Sequence, residues 1–145
     1  MNNIFYLTYR DKLLLFVSLL FSTLSFSQLK IDEEKRKNFY ALKNEYEFSV
    51  NFSNEIGEKM IAFAQDDYEK SMAYVILGEN YYNKSDFLNA VHHLEKSLNF
   101  IKKTDSLDFK VRVLNVLVIS YRRAGLISES DENWKLLKKI SSQLG

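Results

Sequence analysis

Residues 74–101, YVILGENYYNKSDFLNAVHHLEKSLNFI, hold the pattern that decides the fold. Apolar side chains recur there at spacings of three and four, which places Tyr74, Leu77 and Tyr81 on one face of a helix. Turn-forming residues interrupt the pattern at Asn83–Asp86, and a second apolar stripe follows. The stretch therefore predicts two antiparallel helices joined by a tight turn.

The two predicted helices carry the signals of close packing and of a capped start. Gly78 lacks a Cβ where the second helix is expected to cross, so closer packing can offset its helix-propensity cost of about 1 kcal/mol. Ala90 is the small residue on the return helix, and Leu94 continues its stripe. Ser85 or Asp86 can cap that helix by accepting a hydrogen bond from a free backbone N–H.

The same pattern returns 40 residues later. A constant offset of 40 relates Tyr74, Leu77, Gly78, Tyr81, Ala90 and Leu94 to Leu114, Leu117, Val118, Tyr121, Ser130 and Trp134, in that order. Gly125 suits a helix C-cap, and Ser128 with Asp131 resembles a capping box. A polar loop around Lys102–Asp108 is expected to absorb the extra length of this period.

A weaker copy precedes the central stretch. Phe39, Leu42 and Tyr46 have helical spacing within residues 32–48, although Lys43 occupies the glycine position. The turn is expected at Ser49–Ser53. The return stripe is expected to comprise Ile56, Met60 and either Phe63 or Ala64.

The motif Tyr74-x2-Leu77-Gly78-x2-Tyr81, followed by Ala90-x3-Leu94, resembles a tetratricopeptide repeat (TPR). The resemblance implies an all-α solenoid of three antiparallel helix pairs, with repeats at about residues 34–66, 69–103 and 107–144, in a domain covering residues 28–145. The distance from Phe39 to Tyr74 is close to the family's period of about 34 residues. Val118 and Ser130 depart from the family's glycine and alanine, and no proline closes a repeat.

The resemblance also implies a binding surface on the concave face formed by the first helix of each pair. The family's ligand-facing positions fall on Met72, Val75, Glu79, Tyr82 and Asn83 in the central repeat, and on Arg112, Asn115, Ile119, Arg122 and Arg123 in the last. Aromatic, amide and guanidinium groups suit an extended peptide or a partner helix, with arginine able to hold a carboxylate. A merely solvated face is the alternative.

Residues 1–27 have the features of an export signal. Arg10 and Lys12 precede an uncharged segment, Leu13–Phe26, and small residues at positions 25 and 27 permit cleavage before Gln28. The segment is short of the roughly 20 apolar residues of a membrane-spanning helix. We therefore expect a cleaved signal peptide and a periplasmic or cell-envelope location. A membrane anchor at residues 13–26 is the alternative.

Composition and spacing argue against catalysis and against a cofactor. Lys and Arg number 20 against 19 Asp and Glu, so no basic field favours nucleic acid, and cysteine is absent. The adjacent pair His92-His93 points in directions about 100° apart and cannot chelate one metal ion as an i, i+4 pair can. Asp66-Asp67 and Asp86 are expected to cap helices. No metal, nucleic acid or small-molecule substrate is expected.

The expected function is that of a non-enzymatic scaffold that binds a peptide or protein partner in the cell envelope. The alternative is a truncated or stand-alone TPR sensor portion of a membrane-bound transcriptional regulator or histidine kinase, as exported TPR proteins resembling this chain suggest.

The last predicted helix adds a second candidate surface. Trp134 and Leu137 are expected to face their own repeat, while Leu136, Ile140 and Leu144 form another stripe about 100° away. With no repeat following in this sequence, the three aliphatic side chains are expected to be exposed and to drive self-association or partner docking. A frayed terminal helix is the alternative.

Overall fold

The computed structural model describes residues 9–48 and 53–144. Within these ranges the chain forms six helices and no strand: α1 Tyr9–Phe48, α2 Asn54–Phe63, α3 Asp67–Asn83, α4 Phe87–Ile101, α5 Leu107–Arg123 and α6 Ile127–Ser141. The prediction of an all-α fold is confirmed. Most of the turn expected at Ser49–Ser53 lies outside the described residues.

The chain divides into two compact units, Met1–Glu34 and Lys35–Gly145. In the first unit, α1 exposes large apolar side chains at most positions between Leu13 and Ile31. The segment Lys12–Glu47 is long and apolar enough to cross a membrane, a property that signal sequences share. The first unit is therefore compatible with a signal peptide or with a membrane anchor.

The second unit contains the whole hydrophobic core described by the structure, from Phe39 to Ile140. Helices adjacent in the sequence pack on each other from α2 to α6, and α3 also contacts α5. α1 joins the core through the fully buried Phe39, with Leu42 and Tyr46 packed against it. Residues 35–145 thus form a unit with its own core.

Glycine marks two close approaches between helices. A Cβ at Gly78 would lie 2.5 Å from Leu94 Cγ and 3.3 Å from the Ala90 carbonyl oxygen, as the sequence predicts for the α3–α4 crossing. A Cβ at Gly57 would lie 2.6 Å from Leu77 Cγ, so α2 meets α3 equally closely. The return stripe expected from the sequence includes Ile56 and Met60 but not Gly57.

The offset of 40 residues corresponds to equivalent contacts in space. Ser130 Oγ donates a hydrogen bond to the Val118 carbonyl oxygen at 3.0 Å. Positions 118 and 130 therefore meet between α5 and α6, as positions 78 and 90 meet between α3 and α4. The predicted internal repetition is present in the packing of these two helix pairs.

The turns of the two pairs are also equivalent. Ser85 and Gly125, which are 40 residues apart, both have positive φ angles, of 61° and 79°. After each of them a backbone N–H reaches back to close the helix: Asp86 bonds to the Tyr81 carbonyl oxygen and Leu126 to that of Tyr121, both at 2.9 Å. These bonds satisfy carbonyl groups at the helix end, as in a Schellman motif.

Two of the predicted caps are confirmed and one is wrong. Asp66 and Asp86 cap α3 and α4 through bonds from the Glu69 and Asn89 N–H groups. The capping box at Ser128 is not formed, because α6 begins at Ile127 and places Ser128 inside its first turn.

The structure corrects the predicted exposed stripe on α6. Ile140 is only 9% exposed and belongs to the core together with Leu137, while Leu136 is half-buried. Leu144, at 46% exposure, is the one member of the stripe that is largely exposed. Trp134, which was expected to face its own repeat, is 40% exposed. Because Leu137 and Ile140 lie three residues apart, they share the face that packs on the core.

Candidate partner-binding site

Helices α1, α3 and α5 line a common crevice. Its walls are formed by Lys43, Tyr46, Glu47, Met72, Val75, Ile76, Phe109 and Arg112. The volume of the crevice is about 30 Å³, enough for a few water molecules at most. Pockets for drug-sized ligands are about ten times larger. The crevice is therefore suited to receiving part of a side chain, not a whole small molecule.

Glu79 links the three helices across this crevice. Tyr46 Oη on α1 donates to Glu79 Oε2 at 3.4 Å, and Arg112 Nη2 on α5 donates to Glu79 Oε1 at 3.3 Å. Both distances are long for hydrogen bonds. The link therefore holds the groups in position without a strong bond, and a competing carboxylate can reach Arg112.

The environment of this link favours a neutral Tyr46 and a fixed Arg112. Burial, and then the Glu79 charge and hydrogen bond, raise the pKa of Tyr46 to about 12, against an opposing effect of Arg112. The Arg112 guanidinium carbon lies 5.8 Å from the centre of the Phe109 ring, within cation–π range. The guanidinium is thus held in place by two contacts while its side chain remains exposed.

Two predicted contact residues of the central repeat lie in the core. Met72 and Val75 are buried, so they form the floor of the crevice and offer almost no surface to a partner. The physical reason is that α3 packs against α2, α4 and α5, which covers most of its circumference. Glu79 and Tyr82 are half-buried, and Asn83 is exposed at the end of α3.

Four of the five predicted residues of the last repeat form one exposed stripe along α5. Arg112, Asn115, Ile119 and Arg123 are all exposed, and Ile119 is 50% exposed between the polar groups. Arg122 is tied to α6 instead, because its Nε donates to Ser130 Oγ at 3.2 Å. Its Nη2 also lies 3.6 Å from Asp131 Oδ1. The α5 stripe, defined as residues 112, 115, 119 and 123, is therefore the most accessible part of the predicted surface.

A wider cavity that the sequence analysis did not predict lies between α1 and α2. Its volume is about 270 Å³, and it is lined by Asn38, Ala41, Leu42, Glu45, Lys59 and Phe63. The lining combines three apolar side chains with one acid, one base and one amide. No reactive arrangement of these groups is present.

The sequence analysis also missed a row of rings along the α3–α4 seam. Tyr81, His93, Tyr74 and Phe100 stack in that order, with centroid distances of 5.1, 6.1 and 5.6 Å. Burial first, then His92 and Lys96, lower the pKa of His93. The sequence signal is a seven-residue spacing between Tyr74 and Tyr81 and between His93 and Phe100. Residues seven apart lie two turns apart on the same face of a helix.

Among the residues described, no group of three His, Cys, Asp or Glu side chains is placed to hold a metal ion. No protein-family model, no curated protein and no solved structure matches this chain.

Proposed function

We propose that the chain is a non-enzymatic scaffold whose three helix pairs stack as a TPR-like solenoid and bind a peptide segment on the concave face of α1, α3 and α5. The observation that supports this proposal best is the α5 stripe, in which exposed Ile119 lies among Asn115, Arg112 and Arg123. An exposed aliphatic side chain flanked by guanidinium groups is suited to a partner that supplies both apolar and acidic side chains.

The crevice beside the stripe specifies how such a peptide would lie. Arg112 stands where α5 faces Glu79, so a carboxylate of the peptide would replace Glu79 as its partner. A neighbouring aliphatic side chain would cover Ile119. Because the crevice holds only about 30 Å³, the peptide would run along the surface without inserting a large side chain.

A peptide selection tests this proposal. A random peptide library is panned against residues 28–145, and the enriched peptides are measured by fluorescence anisotropy. We expect enrichment of sequences that combine Asp or Glu with Leu or Ile. The variant Ile119→Glu/Arg123→Glu should weaken their binding at least about tenfold, since it adds like charge and removes the apolar contact.

Leu88→Glu is the matched control, because Leu88 on α4 is 66% exposed and lies outside the α5 stripe. It should leave the peptide affinity unchanged. Enriched peptides that lose the same affinity in both variants, or a selection without consensus, would refute the proposed site.

We further propose that the chain is exported and that its apolar segment is removed before Gln28. The exposed apolar face of α1 between Leu13 and Ile31 supports export, because none of the residues described in the first unit covers it. N-terminal sequencing of the protein from producing cells should begin at Gln28. A chain that begins at Met1 in the membrane fraction would establish the anchor instead.

A further inference from the structure

The row of rings on the α3–α4 seam carries a set of ammonium groups. Nζ of Lys70 and of Lys103 lies 5.6 and 5.1 Å from the centre of the Phe100 ring. Lys96 Nζ lies 5.5 Å from the centre of Tyr74, and Lys84 Nζ lies 6.0 Å from that of Tyr81. We call Tyr74, Tyr81, His93 and Phe100 with these four lysines the basic row.

The basic row has a local excess of positive charge on a chain that is close to neutral. Of the carboxylates that the structure describes, Asp67 is the one within ion-pair distance of these lysines, at 3.7 Å from Lys103 Nζ. Lys84 Nζ bonds to the neutral Asn54 Oδ1. The exposed His92 ring lies beside His93. The surface is therefore complementary to an anion with several charges.

The stacking of the rings limits which polyanion fits. The planes of Tyr81 and His93 differ by 4°, those of Tyr74 and Phe100 by 7°, and those of Tyr74 and His93 by 25°. His93 and Tyr74 are each stacked on two other rings, so their faces are closed to a nucleic-acid base. Tyr81 and Phe100, at the ends of the row, each have one face against a ring and lysine ammonium groups within 6.0 Å of the ring centre. Single-stranded nucleic acids are bound mainly by stacking their bases on open aromatic faces. The geometry favours a partner that contacts ring edges and ammonium groups.

A lipid surface makes those contacts. Tyrosine rings and lysine side chains are suited to the headgroup region, where apolar stems contact the boundary and polar tips stay hydrated. Clustered lysines also bind the negative surface of anionic bilayers. The apolar segment of α1 is long and apolar enough to cross a membrane, and the proposed export or anchoring would place the chain beside one.

We propose that the basic row is a docking surface for an anionic lipid bilayer. This surface lies on the α3–α4 seam and is separate from the α5 stripe, so it adds a second contact to the proposed peptide-binding function. Contacts with the rings hold these lysine side chains on one surface, so they lose less freedom when they meet the headgroups.

Vesicle sedimentation tests the proposal with residues 28–145, which contain the whole core. Vesicles of phosphatidylcholine with phosphatidylglycerol are compared with vesicles of phosphatidylcholine alone at about 0.1 M and about 1 M salt. We expect binding only to the anionic vesicles and only at the lower salt. Changing Lys70, Lys84, Lys96 and Lys103 to Gln should lower the partition coefficient about a hundredfold.

The matched control changes four lysines outside the row, Lys37, Lys59, Lys135 and Lys139, to Gln. This control has the same net charge as the row variant and should bind anionic vesicles as the unmodified chain does. Circular dichroism verifies folding, and Lys84→Glu/Lys103→Glu provides a second row variant at two exposed positions. The row variants should keep their affinity for the selected peptides.

Equal loss of binding in the row and control variants would overturn the proposal, because it would show a general charge effect. Equal binding to both kinds of vesicle would also overturn it. Tighter binding of a single-stranded RNA oligonucleotide through the same four lysines would assign the row to nucleic acid.

Discussion

At the scale of single residues, the packing of this protein depends on two glycines, which have no side chain. Gly78 allows α3 to approach Leu94 of α4, and Gly57 allows α2 to approach Leu77 of α3. In both places the distance that a Cβ would have to a leucine Cγ is below 3 Å. Neighbouring core side chains would have to move to admit a methyl group.

Replacement of either glycine should therefore destabilise the fold. We expect Gly78→Leu to lower the free energy of unfolding by about 1–3 kcal/mol through overpacking. Gly57→Ala and Gly78→Ala should also lower the melting temperature, because the clash with leucine exceeds the gain in helix propensity of about 1 kcal/mol. Thermal unfolding measured by circular dichroism checks all three variants. An unchanged melting temperature would show that the helices do not meet at these residues.

Ser85 and Gly125 adopt the same left-handed backbone conformation, one with a side chain and one without. Ser85 adopts a φ of 61° with a side chain, where Gly125 adopts 79° without one. Residues with a Cβ are strained in this region. We expect Ser85→Gly to raise the stability by about 0.5–1 kcal/mol, after allowing for the greater freedom of glycine in the unfolded chain.

The reciprocal change, Gly125→Ser, is the control for that prediction and should lower the melting temperature. Thermal unfolding of both variants is compared with the unmodified chain. A lower melting temperature for Ser85→Gly would mean that the serine side chain contributes more than its strain costs.

At the scale of helices, α6 shows why a stripe read from sequence can be assigned to the wrong face. The spacing of Leu136, Ile140 and Leu144 and the spacing of Leu137 and Ile140 both satisfy a helical period. Only packing decides which face is covered, and the structure places Ile140 in the core with Leu137. Self-association through this helix stays a prediction, now supported chiefly by Leu144.

The corrected assignment predicts that alanine substitutions at different positions of α6 lower the free energy of unfolding by different amounts. Ile140→Ala should lower the free energy of unfolding by about 2–4 kcal/mol, as expected for a buried aliphatic side chain. Leu144→Ala should change it by less than about 0.5 kcal/mol. Denaturant unfolding measures both values, and light scattering on the same samples reports the oligomeric state. Similar costs at the two positions would contradict the burial of Ile140.

The link between α1, α3 and α5 should influence binding more than stability. Its distances are long and its arginine is exposed, so Glu79→Gln should cost less than about 1 kcal/mol. Removing the carboxylate also leaves Arg112 without its anionic partner. The affinity for acidic peptides should therefore rise severalfold, as measured by fluorescence anisotropy.

Glu58→Gln is the matched control for that change, because Glu58 is an exposed carboxylate on α2. It should alter neither stability nor peptide affinity. A loss of more than about 2 kcal/mol in Glu79→Gln would show that the link is mainly structural.

At the scale of the whole molecule, features set by neighbours along the chain are predicted better than features set by packing between helices. The helical state of the described residues and the caps at Asp66 and Asp86 depend on neighbours along the chain, and both are confirmed. The offset of 40 predicts the contact of Val118 with Ser130, because equivalent positions in a repeat have equivalent neighbours.

Which residues are buried and which are exposed depends on how many helices surround each helix. Met72 and Val75 are buried because α3 is central, and the Tyr74 ring stacks on His93 and Phe100 instead of entering the core. Spacing alone assigns a residue to a helix face without stating what covers that face. Arg112, Asn115, Ile119 and Arg123 are exposed because no described helix covers that face of α5, and their role in binding stays a prediction.

The central claim is that the α5 stripe and the neighbouring Glu79–Arg112 link form one peptide-binding surface. The most direct test follows backbone amide chemical shifts of isotope-labelled residues 28–145 during titration with a selected peptide. We predict that the largest changes occur at Glu79, Arg112, Asn115 and Ile119, while Leu88 and the basic row change little. Changes concentrated on α4 or α6, with the α5 stripe unaffected, would contradict the claim.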